Sequence, residues 1–174
     1  MTQWDELGVV TASGSDTQLV ISSLTQDYDD LHVIFEGFVN DSTNPYNNAF
    51  VRLNGDSSSS NYGTNAMILD GSSTLFQERD PGVEAGWTVY RLPAVSSGNR
   101  SDWGYMSFDI INYTYAGARN CVAQHCTIQE SGGTAMGAMG MSYLGTSAIT
   151  SVGVYSSASF GASSSLTVYG LKNS

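Results

Sequence analysis

YDDLHVIFEGFVNDSTNPYNNAFVRLNGD, residues 28–56, decides the fold. In its first half Leu31, Val33 and Phe35 alternate with His32, Ile34 and Glu36, and strict alternation over such a run marks a strand that buries one face. Ala49-Phe50-Val51-Arg52-Leu53 repeats the pattern more briefly. Between the two, Asn40-Asp41-Ser42-Thr43-Asn44-Pro45-Tyr46-Asn47-Asn48 is rich in turn-setting residues and holds a proline, which cannot donate to a strand ladder. The stretch therefore reads as two sheet strands with a polar excursion at one rim. Asn54-Gly55-Asp56 closes the second strand, because Asn-Gly readily adopts the positive φ angles of a tight turn.

Working outward, the same period recurs on both sides. Before the stretch, Trp4 to Ala12 and Gln18 to Leu24 are strands, the second pointing Leu19 and Ile21 inward. After it, Ser57 to Asn61 is a loop that buries nothing, and short strands follow at 62–70 and 73–77. Residues 78–86 read as a loop, since Pro81-Gly82 interrupts regular structure. Trp87 to Leu92 carries an aromatic on each face. In the long run from Trp103 to Tyr113, Met106, Phe108, Ile110 and Asn112 form the more apolar, inward set, and Trp103, Tyr105, Ser107, Asp109 and Ile111 share the other face. A further strand spans 119–129. Two glycines, Gly137 and Gly140, in the ten residues from Ala135 to Leu144 cost a helix too much, so Met139, Met141 and Tyr143 line the core side of a strand. Residues 148–155 and 164–171 flank a Ser/Ala-rich turn and read as a closing hairpin. About ten strands with no helical period and no fixed repeat predict an all-β chain, an antiparallel β-sandwich or jelly roll in a single domain over residues 1–174.

Composition narrows the function classes. Only 13% of residues are charged, against roughly 25% in ordinary soluble domains, so Ser, Thr, Asn and Gly must supply the polar surface. Six basic residues against sixteen acidic ones give a net charge of −10, a surface that repels nucleic acid. No stretch approaches the roughly 20 apolar residues that cross a bilayer. Met1-Thr2-Gln3-Trp4-Asp5-Glu6 lacks the pattern of a secretion signal, so synthesis in a cytoplasm is expected. Cys121 and Cys126 lie an odd number of residues apart in one strand, which puts their thiols on opposite faces about 16 Å apart. They read as unlinked thiols, and His125 beside Cys126 points away from it rather than toward a shared metal.

The chain carries no nucleophile motif. Glu36 and Asp109 are the candidates for a carboxylate pair that could cleave sugars, which needs a separation of about 5–10 Å. His32 reads as a solvated residue beside Asp30. Calcium could be held at Asp27-Tyr28-Asp29-Asp30 or Asn54-Gly55-Asp56, but neither has the EF-hand pattern and turn chemistry explains both. Trp87, Trp103 and Tyr105, with Tyr90, are the residues that could form an aromatic platform for a glycan.

Several landmarks taken together resemble a family of small structural proteins of tailed bacteriophages. They are the aromatic-led opening Trp4-Asp5-Glu6-Leu7, Leu19-Val20-Ile21-Ser22-Ser23-Leu24 running into Tyr28-Asp29-Asp30-Leu31, and Arg52-Leu53-Asn54-Gly55-Asp56 followed by Asn61-Tyr62. Phe108-Asp109-Ile110-Ile111-Asn112-Tyr113, Ala148-Ile149-Thr150-Ser151-Val152 and Leu166-Thr167-Val168-Tyr169-Gly170-Leu171-Lys172 complete the set. The resemblance implies a non-enzymatic virion component without a cofactor. Its first form is a capsid decoration (cement) protein that contacts the major capsid protein and copies of itself as a homotrimer. Its second is a tail fibre, spike or baseplate-associated module that binds a host surface glycan. Under the first form, Trp4 and the excursion residues Asn44, Pro45 and Tyr46 are the expected contacts.

Overall fold

Alternating burial builds the molecule. The computed structural model describes residues 3–44, 46–70, 75–81, 85–94, 103–128 and 134–172. Its eight-stranded sheet runs, in spatial order, β1 (Gln3–Thr11), β14 (Ser165–Lys172), β3 (Asp30–Gly37), β9 (Trp103–Ile110), β10 (Arg119–Ile128), β11 (Thr134–Tyr143), β6 (Tyr62–Asp70) and β7 (Leu75–Pro81). The four-stranded sheet orders β2 (Gln18–Ser22), β12 (Ser151–Ser156), β5 (Tyr46–Leu53) and β8 (Trp87–Pro93). A two-residue ribbon pairs β4 (Val39–Asn40) with β13 (Ser159–Phe160). Every ladder between strands is antiparallel, and one 3₁₀ turn at Ser59–Asn61 is the helical element among the described residues.

The sandwich predicted from alternation is the fold, and twelve of its strands have five residues or more. β3 buries Leu31, Val33 and Phe35, β9 buries Met106, Phe108 and Ile110, and β11 buries Met139, Met141 and Tyr143. Four local expectations change. The two strands of the 28–56 stretch lie in different sheets, so the polar excursion carries the chain from one layer to the other. The closing hairpin does not form, because β12 and β14 also belong to opposite sheets. β7 runs on through Glu78 to Pro81, and a proline is tolerated there because it ends an edge strand, where a missing N–H leaves no ladder broken. β9 stops at Ile110, and the chain turns at Ile111–Tyr115 with Asn112 at φ +52° and exposed, while Tyr113 takes the buried place. The other sheet edges are irregular or short: β1 bulges between Glu6 and Gly8, β2 has five residues, and β8 ends at Pro93.

Trp87 joins the layers. Fully buried on β8, its indole Nε1–H donates to the Ser142 carbonyl of β11 at 2.8 Å. Its ring meets Tyr62, Phe108 and Tyr143 edge to face at 6.0, 5.9 and 6.5 Å, a geometry aromatic quadrupoles favour. Two of those partners reach the Asn54-Gly55-Asp56 turn: the Tyr62 hydroxyl donates to the Asp56 carbonyl and the Tyr143 hydroxyl to the Asp56 carboxylate.

That turn has the left-handed pair the sequence implies, with φ +55° at Asn54 and +65° at Gly55. The Asn54 side chain then staples the 148–151 segment, donating to the Ala148 carbonyl at 2.8 Å and accepting from the Thr150 and Ser151 N–H groups. At the same end of the sheet, buried Arg119 donates to the carbonyls of Tyr113, Gly117, Gly145 and Ser147, so its guanidinium closes two loops without a carboxylate. Asn54→Gly, which keeps the φ angle and loses the side-chain bonds, is expected to cost about 1–2 kcal/mol. Asn54→Ala, which also meets left-handed strain, should cost about 1 kcal/mol more. Denaturant midpoints of the two variants check that order.

Candidate functional site

The outward face of the eight-stranded sheet holds the two groupings that are not explained by packing. One row crosses it by register: Glu6 opposite Tyr169, Tyr169 opposite His32, His32 opposite Asp109, Asp109 opposite Val122, and Val122 opposite Gly140. His32 Nδ1 lies 2.6 Å from Asp109 Oδ1, and because a carboxylate only accepts, Nδ1 carries the hydrogen. Trp4, 52% exposed, sets its ring 4.8 Å from the His32 ring and 6.2 Å from Tyr169.

A second row lies four residues along β9. There Tyr105 stands opposite Cys126, Cys126 opposite Met136, and Met136 opposite Leu69. With Met67 and Gln124 these side chains line a shallow depression of about 480 Å³. No Asp, Glu, Lys or Arg occupies an outward position of β6 from Gly63 to Leu69, of β10 from Asn120 to Ile128, or of β11 from Thr134 to Ser142. Val122 is 67% exposed and Met136 56%. In a chain of net charge −10, three adjacent strands thus present an uncharged, largely apolar surface, the kind that marks an interaction site.

The residues singled out from sequence fall into separate places. Trp4 sits at the Asp30 end of β3 and the 41–46 excursion follows its Gly37 end, so the two expected contacts do not form one surface. Asn44 is exposed and donates to Asp41 Oδ2 and Thr43 Oγ1, Tyr46 opens β5 partly exposed, and Pro45 lies outside the described residues. Trp87 cannot face a glycan, since it is the buried centre of the core. Trp103 is half-buried against Phe38 at 5.7 Å, Tyr105 is 38% exposed in the apolar row, and the Tyr90 side chain lies outside the described residues. Glu36 stands opposite Tyr105 and Asp109 opposite His32, an offset of four residues or about 13 Å along the sheet, beyond the range for paired sugar cleavage. His32 is not a free neighbour of Asp30 but the partner of Asp109, 77 residues away.

The proposed calcium ligands are spent on the protein itself. Asp56 accepts from the Ser58 N–H, the Asn61 amide and the Tyr143 hydroxyl, Asp27 from the Thr25 hydroxyl, and Asp30 from the Asn112 N–H. Among the described residues no three His, Cys, Asp or Glu side chains gather as a metal site. Asp41 accepts from the Asn44 and Asn47 amides and from the Thr43 hydroxyl and N–H, and the Asn44 and Thr43 donors hold it down at about 2. Cys121 is buried and Cys126 exposed, both free and on opposite faces as the spacing implies. His125 points into the sandwich, its ring over the place a side chain at Gly137 would fill.

No family model matches the chain, and no curated protein does. Among solved structures it is similar to amphioxus GFPc1a at 8% identity and TM-score 0.27, covering 68% of this chain and 64% of that one. It is similar to the enzymatically active domain of bacteriophage CBA120 tailspike protein 2 at 14% identity and TM-score 0.32, covering 99% of this chain but 29% of the other. A xylan-binding domain from CBM 22 aligns at 12% identity and TM-score 0.16, covering 92% of this chain and 86% of that one. All three scores fall short of a shared topology.

His125 makes a pH-dependent liability. Burial pushes its imidazole down from 6.5 to about 4, and both ring nitrogens and the neighbouring Thr127 hydroxyl have no hydrogen-bond partner among the described residues. Below 6.5 the unfolded chain takes up a proton that the folded chain refuses until about 4, so stability present above 6.5 is lost across that window. The expected loss is about 3 kcal/mol. His125→Met should remove that part of the pH slope and leave stability at neutral pH equal or higher, since it deletes unsatisfied buried polar atoms. Urea denaturation of both proteins from neutral to acid pH measures it.

Proposed function

We propose that this chain is a non-catalytic structural protein of a bacteriophage virion, a decoration subunit that stabilises the head by contact. One observation carries the reading: the charge-free outward face of β6, β10 and β11, with its apolar row around Met136, set in an otherwise acidic protein. The resemblance of the sequence landmarks to those of small virion proteins agrees with it. Acidic surface elsewhere keeps free subunits apart, and the neutral face is where approach costs no charge desolvation. The partners are the major capsid protein and copies of the chain itself, as a trimer, with no nucleic acid and no membrane.

The work of such a subunit is mass action. A protein that binds only the assembled lattice shifts the equilibrium against disassembly, by about 2.7 kcal/mol per site at a hundredfold excess over Kd. A sandwich whose described residues are mostly paired strands suits that role, because little ordering entropy is lost when a preformed sheet face docks.

Purified protein is expected to co-sediment with phage heads that lack it and to raise their melting temperature. Met136→Glu puts a charge at an exposed position, so it should fold with an unchanged melting temperature and bind heads at least about tenfold more weakly. Undiminished binding by that variant removes the assigned face. A monomer at high concentration in sedimentation velocity removes the trimer.

A further inference from the structure

The Trp4 cluster on the same sheet has a different chemistry from the apolar row. Trp4 exposes half of its indole. His32 and Tyr169 stand beside that ring, and Asp109, its side chain 51% exposed, is bonded through Oδ1 to His32. The arrangement is a flat apolar plate with an oriented imidazole and a carboxylate at its rim. A small ligand that fits must have one apolar face and hydrogen-bond donors around its edge. A pyranose ring answers that description: its C–H face stacks on indole, and its ring hydroxyls donate to a carboxylate, a charge-assisted bond.

We infer that Trp4, His32, Asp109 and Tyr169 form a binding site for a neutral pyranose of a surface glycan. The His32–Asp109 bond fixes both side chains before the sugar arrives, which lowers the ordering cost of binding. Neutral sugars are selected over acidic ones by charge. Glu6 lies opposite Tyr169, Asp30 and Trp4 both lie opposite Leu171, and the whole chain is strongly acidic, so a sialic acid would meet repulsion. The site is an open surface rather than a cleft, so affinity per site belongs in the millimolar range and gains from several copies on one particle. The inference does not rest on the head-binding role. Trp4 and Met136 occupy different rows of the sheet, so the Met136→Glu variant leaves this site intact.

The test is titration of the whole protein with methyl glycosides of glucose, galactose, mannose and N-acetylglucosamine, their neutral disaccharides, and sialyllactose, followed by the Trp4 indole N–H resonance. At least one neutral sugar is expected to shift that resonance in a saturable way. Trp4→Ala should abolish binding, and Asp109→Asn should weaken it at least about tenfold. Sialyllactose is expected to bind more weakly than its neutral counterpart. The inference is overturned if no neutral sugar moves the Trp4 signal, if Trp4→Ala binds undiminished, or if Asp109→Asn changes nothing. Unaltered thermal melting of both variants separates loss of the site from loss of the fold.

Discussion

The indole of Trp87 is the contact on which the sandwich turns. It sits on the edge strand of the smaller sheet, donates to a carbonyl of the larger one, and collects Tyr62, Tyr143 and Phe108 around its ring. Through Tyr62 and Tyr143 the same cluster reaches Asp56, so the tight turn after β5 is held from the core rather than from solvent. Gly86, just before the tryptophan, makes the approach possible: a Cβ there would come within 2.7 Å of the Val51 carbonyl oxygen, and φ of +154° suits glycine. Layer spacing, turn position and the seating of β8 therefore depend on one side chain and the glycine that admits it.

A sandwich anchored in this way leaves its broad sheet with one face free. The smaller sheet has four strands and the larger eight, and the larger sheet's outward side is where composition and geometry depart from an ordinary solvated surface. Charge is absent from the outward positions of β10, β11 and β6 between Gly63 and Leu69, and at the β1 end the aromatic and acid–imidazole groups gather instead. The two regions differ in what they can recognise: the first offers shape and apolar area, the second directional hydrogen bonds beside a ring. They share a scaffold because β9 passes through both, carrying Tyr105 in one and Asp109 in the other.

Much of this was legible in the residue order. Alternation in β3, β9 and β10 set which side chains point inward, and it placed Cys121 and Cys126 on opposite faces. Trp87 was not legible, because β8 is buried at Trp87, Thr88 and Val89 in succession, and a strand covered on both sides erases the period that reveals direction. Nor was the His32–Asp109 pair, since it depends on β3 lying beside β9, and periodicity within a strand says nothing about its neighbours. The neutral stripe left a faint trace: once Cys121 and Met139 are taken as inward, the opposite parity of β10 and β11 spells residues without a single charge.

The rims of the two sheets also constrain how copies can meet. β7 and β8 end in Pro81 and Pro93, β1 is offset by its bulge, and β2 is five residues long. Each device denies an incoming chain the continuous hydrogen-bond template that sheet extension needs. Fibrous, side-by-side polymerisation is thereby disfavoured, so molecules crowded together at high concentration can lie side by side without seeding aggregates.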